Sequence, residues 1–174
     1  MKSFLVVVDM QTDFVDGALG TPEAVKILPS VCQKIKNFKG DIIATLDTHS
    51  ENYLSTAEGK KLPVAHCIKG SVGWNLHPEV SAVLNEKNHT VLEKPTFGSV
   101  DLPDIIREMA GDNDFEITLI GLCTDICVVS NALLLKANFP EKKIAVESAL
   151  CAGVTPETHA AALTTMKMCQ IEVQ

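Results

Sequence analysis

No two cysteines in this chain are spaced Cys-x-x-Cys, so half of a zinc ribbon and the dithiol of a thiol–disulfide exchange site are both missing. The six that occur (Cys32, Cys67, Cys123, Cys127, Cys151 and Cys169) are scattered through apolar segments, the pattern of free thiols in a reducing compartment. Also missing is any apolar run of membrane length. The run from Phe4 to Val8 stops at Asp9, too short for a signal-peptide core or a membrane span, which predicts a cytoplasmic protein. Positive charge is scarce: 15 Lys+Arg against 22 Asp+Glu give a formal net charge of −7. That balance works against nucleic acid or an anionic membrane as partner and leaves a small molecule as the expected ligand. There is no internal repeat and no low-complexity tract. What is present is a chain of 174 residues, 46% of them hydrophobic, enough for one core in a single domain spanning residues 1–174.

Short runs rich in β-branched residues predict strands at 3–8, 41–46, 90–92, 116–120, 143–147 and 171–173. Between them, apolar residues recur at helical spacing. Thr21-Pro22 and Thr155-Pro156 open two of these helices with a capping residue and a proline at the first helical position. Strands alternating with helices predict a three-layer, doubly wound α/β sandwich around a six-stranded, mainly parallel sheet. Residues 50–73 break the pattern with Gly59, Pro63 and Gly70, and a loop of that length is usually functional or mobile.

In such sheets, ligands bind beyond the carboxyl ends of the strands. The predicted strands end on ionisable residues there: Asp9, then Asp47-Thr48-His49, then Glu93-Lys94. After the fourth strand, Gly121-Leu122-Cys123-Thr124 makes a turn and a helix opens at Asp125, with Cys127 in its first turn. Helix-terminal N–H groups at that place favour a thiolate and can receive an oxyanion. A carboxylate that takes the thiol proton and an ammonium that steadies both charges complete an apparatus for acyl transfer. Each residue also has a plainer reading, with Cys127 a small buried hydrophobe, Asp9 a turn cap and Lys94 a solvated charge. Asp47 and His49, with Glu58 and His66 in the long loop, offer oxygen and imidazole donors suited to a divalent metal such as zinc, iron or manganese. The plainer reading there is scattered surface histidines. His159 has no evident partner and reads as structural or exposed.

The segments Asp9-Met10-Gln11-Thr12-Asp13-Phe14, Lys94 after the third strand, and Gly121 to Val128 resemble the three signatures of the isochorismatase-like cysteine hydrolases. The chain is most similar to their nicotinamidase/pyrazinamidase branch, and the resemblance extends to the closing Ala152–Leu163 segment. It implies the isochorismatase-like hydrolase fold and a triad of Cys127 as nucleophile, Asp9 as base and Lys94 as charge stabiliser. It also implies an oxyanion hole from the backbone N–H groups of Cys123 and Cys127, with a cis peptide between Leu122 and Cys123. A metal, zinc above others, is implied at Asp47, His49, Glu58 and His66, although the stretch from Glu58 to His66 is one residue longer than the family pattern. Phe14 and Phe97 match rim aromatics of the substrate pocket. The aromatic three positions before the last metal histidine is replaced by Pro63, and Trp74 is the expected substitute. The implied reaction is hydrolysis of a small amide, nicotinamide first, through a thioester. Another small amide or ureido substrate is the alternative, ahead of a thiol redox protein or a non-catalytic metal-binding paralogue. Related domains are commonly oligomeric, which predicts a homo-oligomer.

Overall fold

The computed structural model describes all of residues 1–174. Strands β1 (Lys2–Val8), β2 (Asp41–Asp47), β3 (His89–Lys94), β4 (Phe115–Leu122), β5 (Lys143–Ala152) and β6 (Glu172–Val173) form one sheet in the order β3-β2-β1-β4-β5-β6. Every pairing is parallel. The order reverses between β1 and β4, so the chain leaves these two strands in opposite directions and opens a crevice at their carboxyl ends. Helices α1 (Thr12–Val15), α2 (Pro22–Asn37), α3 (Ala57–Lys61), α4 (Pro78–Asn85), α5 (Leu102–Ala110), α6 (Val129–Asn138) and α7 (Pro156–Met168) fill the connections.

Alternation along β1 divides the core. Phe4, Val6 and Val8 pack with Ile106, Leu135 and Met166 on one face, and Leu5 and Val7 with Val31, Ile35 and Val80 on the other. Burial on both faces is why β1 reads as an unbroken apolar run. Thr21 caps α2 by accepting from the Ala24 N–H at 3.1 Å, and Thr155 with Thr158 forms a capping box on α7.

The structure departs from the sequence expectations in several places, and β4 itself runs on through Gly121 and Leu122, which were expected in a turn. β5 runs to Ala152, because a register shift between Leu119 and Gly121 lets Cys151 and Ala152 pair with Gly121 and Leu122. The 50–73 segment holds a 3-10 turn (Tyr53–Ser55) and α3, both too short to show a period. The helix expected from Asp125 starts as a π-type turn, Thr124–Val128, before α6. No helix is long and apolar enough to cross a membrane.

Candidate active site

Asp9 directly follows β1 and Lys94 ends β3, two places further along the sheet. Both are fully buried, and Lys94 Nζ lies 2.6 Å from Asp9 Oδ2. The same ammonium is 3.4 Å from Cys127 Sγ, 3.4 Å from Asp47 Oδ1 and 3.1 Å from the Thr96 carbonyl. One cation thus joins the ends of β1 and β2 to the π turn after β4. Asp9 adopts a left-handed backbone at φ 46, and its Oδ1 accepts from the Thr45 hydroxyl at 2.6 Å. Thr45, on β2, had no signal in the sequence beyond its place in an apolar strand.

Burial pushes Asp9 above the usual carboxylate range, and Lys94 offsets this only in part. Burial also disfavours the Lys94 charge, but Asp9, Cys127 and Asp47 outweigh it and hold the ammonium above the ordinary lysine value. The thiol corrects an expectation. A helix N-terminus was expected to lower it, whereas burial and the neighbouring Asp9 push Cys127 well above the ordinary thiol value, with Lys94 opposing them. Burial thus favours the neutral form of the thiol, and the Asp9 carboxyl stands beside it to take its proton.

Gly121, the last residue but one of β4, stands at φ 115, where a Cβ would come within 2.2 Å of the Val8 carbonyl oxygen. Only glycine lets β4 run this close to β1 before the chain turns to Cys123 and Cys127. The Leu122–Cys123 peptide is cis. Cys123, pushed up to about 12 by burial, lines the same cavity as Cys127.

Beside this group, Asp47, His49 and His66 present donor atoms within 4.8 Å of one another. His49 Nε2 is 2.9 Å from Asp47 Oδ2 and 3.7 Å from Glu58 Oε1, and His66 Nε2 is 3.7 Å and 3.8 Å from the same two oxygens. Donors sharing one tetrahedral cation at bonds of about 2.0–2.1 Å stand about 3.3 Å apart, within that spread. His49 Nε2 is buried without a hydrogen bond of regular geometry. His66 Nδ1 is 2.8 Å from the Val64 carbonyl, which fixes the ring with Nε2 turned to the cluster. Two imidazoles with carboxylates fit zinc or a similar divalent cation. Burial would raise Asp47, but its close pairing with His49 and the charge of Lys94 hold it below the usual carboxylate value. The thiol of Cys67 is not among these donors.

Two further residues organise the cluster. Gln11, fully buried, accepts from the Asp47 N–H at 2.8 Å and donates to the Asp47 carbonyl at 2.8 Å, while also donating to the Trp74 carbonyl. Its signal in the sequence was its place two residues after Asp9. Tyr53 lies 4.6 Å from the His49 ring and 4.8 Å from that of His66, and its hydroxyl donates to the Leu62 carbonyl. The irregular sequence around it gave no sign of this role.

Cys127, Asp47, Glu58 and His66 border a cavity of about 150 Å³, closed by Phe14, Phe97 and the aliphatic Leu19, Leu62, Ile126 and Val154. That is below the ~300–1,000 Å³ of drug-sized ligand pockets, a size for a small, largely apolar acyl group. Trp74, expected to replace the missing aromatic, does not line it; its indole N–H donates to Thr48 Oγ1 at 2.9 Å. Nor is His159 without a partner: its Nδ1 is 2.8 Å from Thr124 Oγ1.

The sequence matches the model of the isochorismatase domain over residues 3–174. A nicotinamidase/pyrazinamidase of Mycobacterium tuberculosis is 26% identical, over 97% of this chain and 96% of that one. Among solved structures, a nicotinamidase/pyrazinamidase from Bacillus subtilis superposes with a TM-score of 0.85 at 27% identity, over 99% of each chain. A pyrazinamidase of Pyrococcus horikoshii in complex with zinc gives 0.80 at 27% identity, over 100% of this chain and 99% of that one.

Proposed function

The chain belongs to the isochorismatase family, and from that premise we propose that it is a single-domain, cysteine-dependent amidohydrolase cleaving nicotinamide to nicotinate and ammonia. The observation that carries this reading is the buried Lys94 ammonium, 2.6 Å from Asp9 and 3.4 Å from Cys127, which lines a small apolar cavity. Cys127 Sγ attacks the amide carbonyl as Asp9 takes the thiol proton. The developing oxyanion is received by the backbone N–H groups of Cys123 and Cys127. Asp9 returns the proton to the departing nitrogen, ammonia leaves, and a thioester remains. Asp9 then takes a proton from the water that attacks the thioester and passes it to Cys127 Sγ as the acid is released. Lys94 holds Asp9 in place throughout and favours its ionised form between proton transfers.

Asp47, His49, Glu58 and His66 are the residues to hold a divalent metal, zinc first. Such an ion supplies Lewis acidity next to the reacting carbonyl. Redox chemistry at Cys123 and Cys127 has no support in their spacing, Cys-x-x-x-Cys, which is not the Cys-x-x-Cys of a dithiol redox site.

Pro63, in place of an aromatic, favours a second reading within the same chemistry: a small amide with an aliphatic acyl group, matched to Leu19, Leu62, Ile126 and Val154. Ammonia release from nicotinamide, pyrazinamide and short branched aliphatic amides, with wild type beside Cys127→Ala, decides between them. Release from the aromatic amides by wild type alone is expected. Activity retained in Cys127→Ala would rule out the mechanism, and release from the aliphatic amides alone would move the substrate to the second reading.

A further inference from the structure

The amide hydrolysis above makes no use of His159, yet this side chain ties α7 to the turn that carries the nucleophile. Thr124 is fully buried, between Cys123 and Asp125 and three residues ahead of Cys127, and its Oγ1 is 2.8 Å from His159 Nδ1. The next residue is tied to the same segment: the Val154 N–H donates to both carboxylate oxygens of Asp125, at 3.2 Å and 3.1 Å.

His159 is itself held firmly. Its N–H donates to the Thr155 carbonyl at 3.0 Å, one turn from the capping box that fixes the start of α7. Gly153 packs so tightly on it that a Cβ there would come within 2.9 Å of His159 Cβ and of its backbone nitrogen. A π-type turn is less regular than an α-helical start and gains most from an outside brace.

We propose that His159 is a positioning residue, which through its hydrogen bond to Thr124 holds the Cys123–Cys127 turn in register with Asp9 and Lys94. This rests on the reading of Cys127 as the nucleophile. A small displacement of a nucleophile from its attack geometry costs far more in rate than in binding, so the brace acts on turnover.

The test compares wild type with His159→Ala, His159→Asn, Thr124→Val and the double variant His159→Ala/Thr124→Val. It reads kcat and KM for amide hydrolysis, the rate of Cys127 alkylation by iodoacetamide, and thermal stability. We expect His159→Ala to lower kcat on the order of 10- to 100-fold with KM nearly unchanged. His159→Asn, whose amide can reach the place of Nδ1, recovers most of the loss, and the double variant is no worse than the poorer single one. A His159→Ala enzyme with wild-type kcat would overturn the proposal. So would a loss that follows thermal stability and is not recovered by asparagine, or one that adds to that of Thr124→Val. Should wild type hydrolyse none of the amides, the substrate reading fails on its own. The alkylation rate then decides the brace: altered in His159→Ala and restored in His159→Asn supports it, and unchanged in both refutes it.

Discussion

At the scale of single residues, one proton passes between Cys127 and Asp9, and burial raises both groups, so each binds a proton more tightly than it would in water. Catalysis needs Asp9 ionised, so kcat/KM should fall as pH drops through a value above that of an ordinary aspartate. Lys94 is raised above the ordinary lysine value, so its deprotonation adds no loss on the alkaline side within the usual range. Asp9→Asn should cost about 10²- to 10⁴-fold in kcat, the weight of a general base, and flatten the acid limb. A pH–rate profile of the variant checks this, and an acid limb that persists unchanged would assign it to another group. The residue types were legible because each strand ends abruptly on a charge. Their ionisation was not, because the carboxylate that opposes the helix end at Cys127 lies 118 positions earlier in the chain and reaches it only through the sheet.

At the scale of elements, the cluster around Asp47 depends on connections that have no period to read. Gln11 fastens the Asp47 main chain in both directions, and α3 brings Glu58 towards the two imidazoles. Gln11→Ala strands the Asp47 N–H and carbonyl in a buried place, at about 1–3 kcal/mol for an unsatisfied group. It should also weaken metal binding about 10- to 100-fold, the usual weight of a residue that orients a ligand. Titration of chelator-treated protein with zinc measures the second effect. Gly59 sets the other side of the cluster. A Cβ there would fall 2.1 Å from the Tyr53 carbonyl oxygen, so Gly59→Ala must push α3 off the Tyr53–Ser55 turn and carry Glu58 with it. The expected outcome is lost metal content in a protein that keeps its helical and sheet signal in circular dichroism. These short pieces were invisible in the sequence for a simple reason: three to five residues cannot show a 3.6-residue repeat.

At the scale of the whole molecule, the fold was legible because the buried strands and their caps agree at every level. Unbroken apolar runs appear where both faces are covered, Thr-Pro pairs open α2 and α7, and the six strands are all parallel. What pattern alone left open was where the sheet order reverses, which is what brings the end of β1 to that of β4. The metal cluster spans β2 and the long connection after it, so a bound ion stabilises the native chain against the unfolded one. Removing it with a chelator should lower the midpoint of thermal unfolding. At a free-ion concentration of about 100 times Kd the linkage amounts to about 2.7 kcal/mol. An unfolding midpoint indifferent to chelator and to added zinc would count against a resident metal.

The Lys94 ammonium has no exposed surface, pairs with Asp9, and donates to Asp47, the Thr96 carbonyl and Cys127. Surface lysine ammonium groups trade hydrogens with water too fast at neutral pH for their N–H resonances to survive. This one can trade only when the packing around it opens. Its nitrogen-15 signal should therefore remain visible where those of the other lysines vanish, and its rate of fading in heavy water would report how often the buried site lets water in.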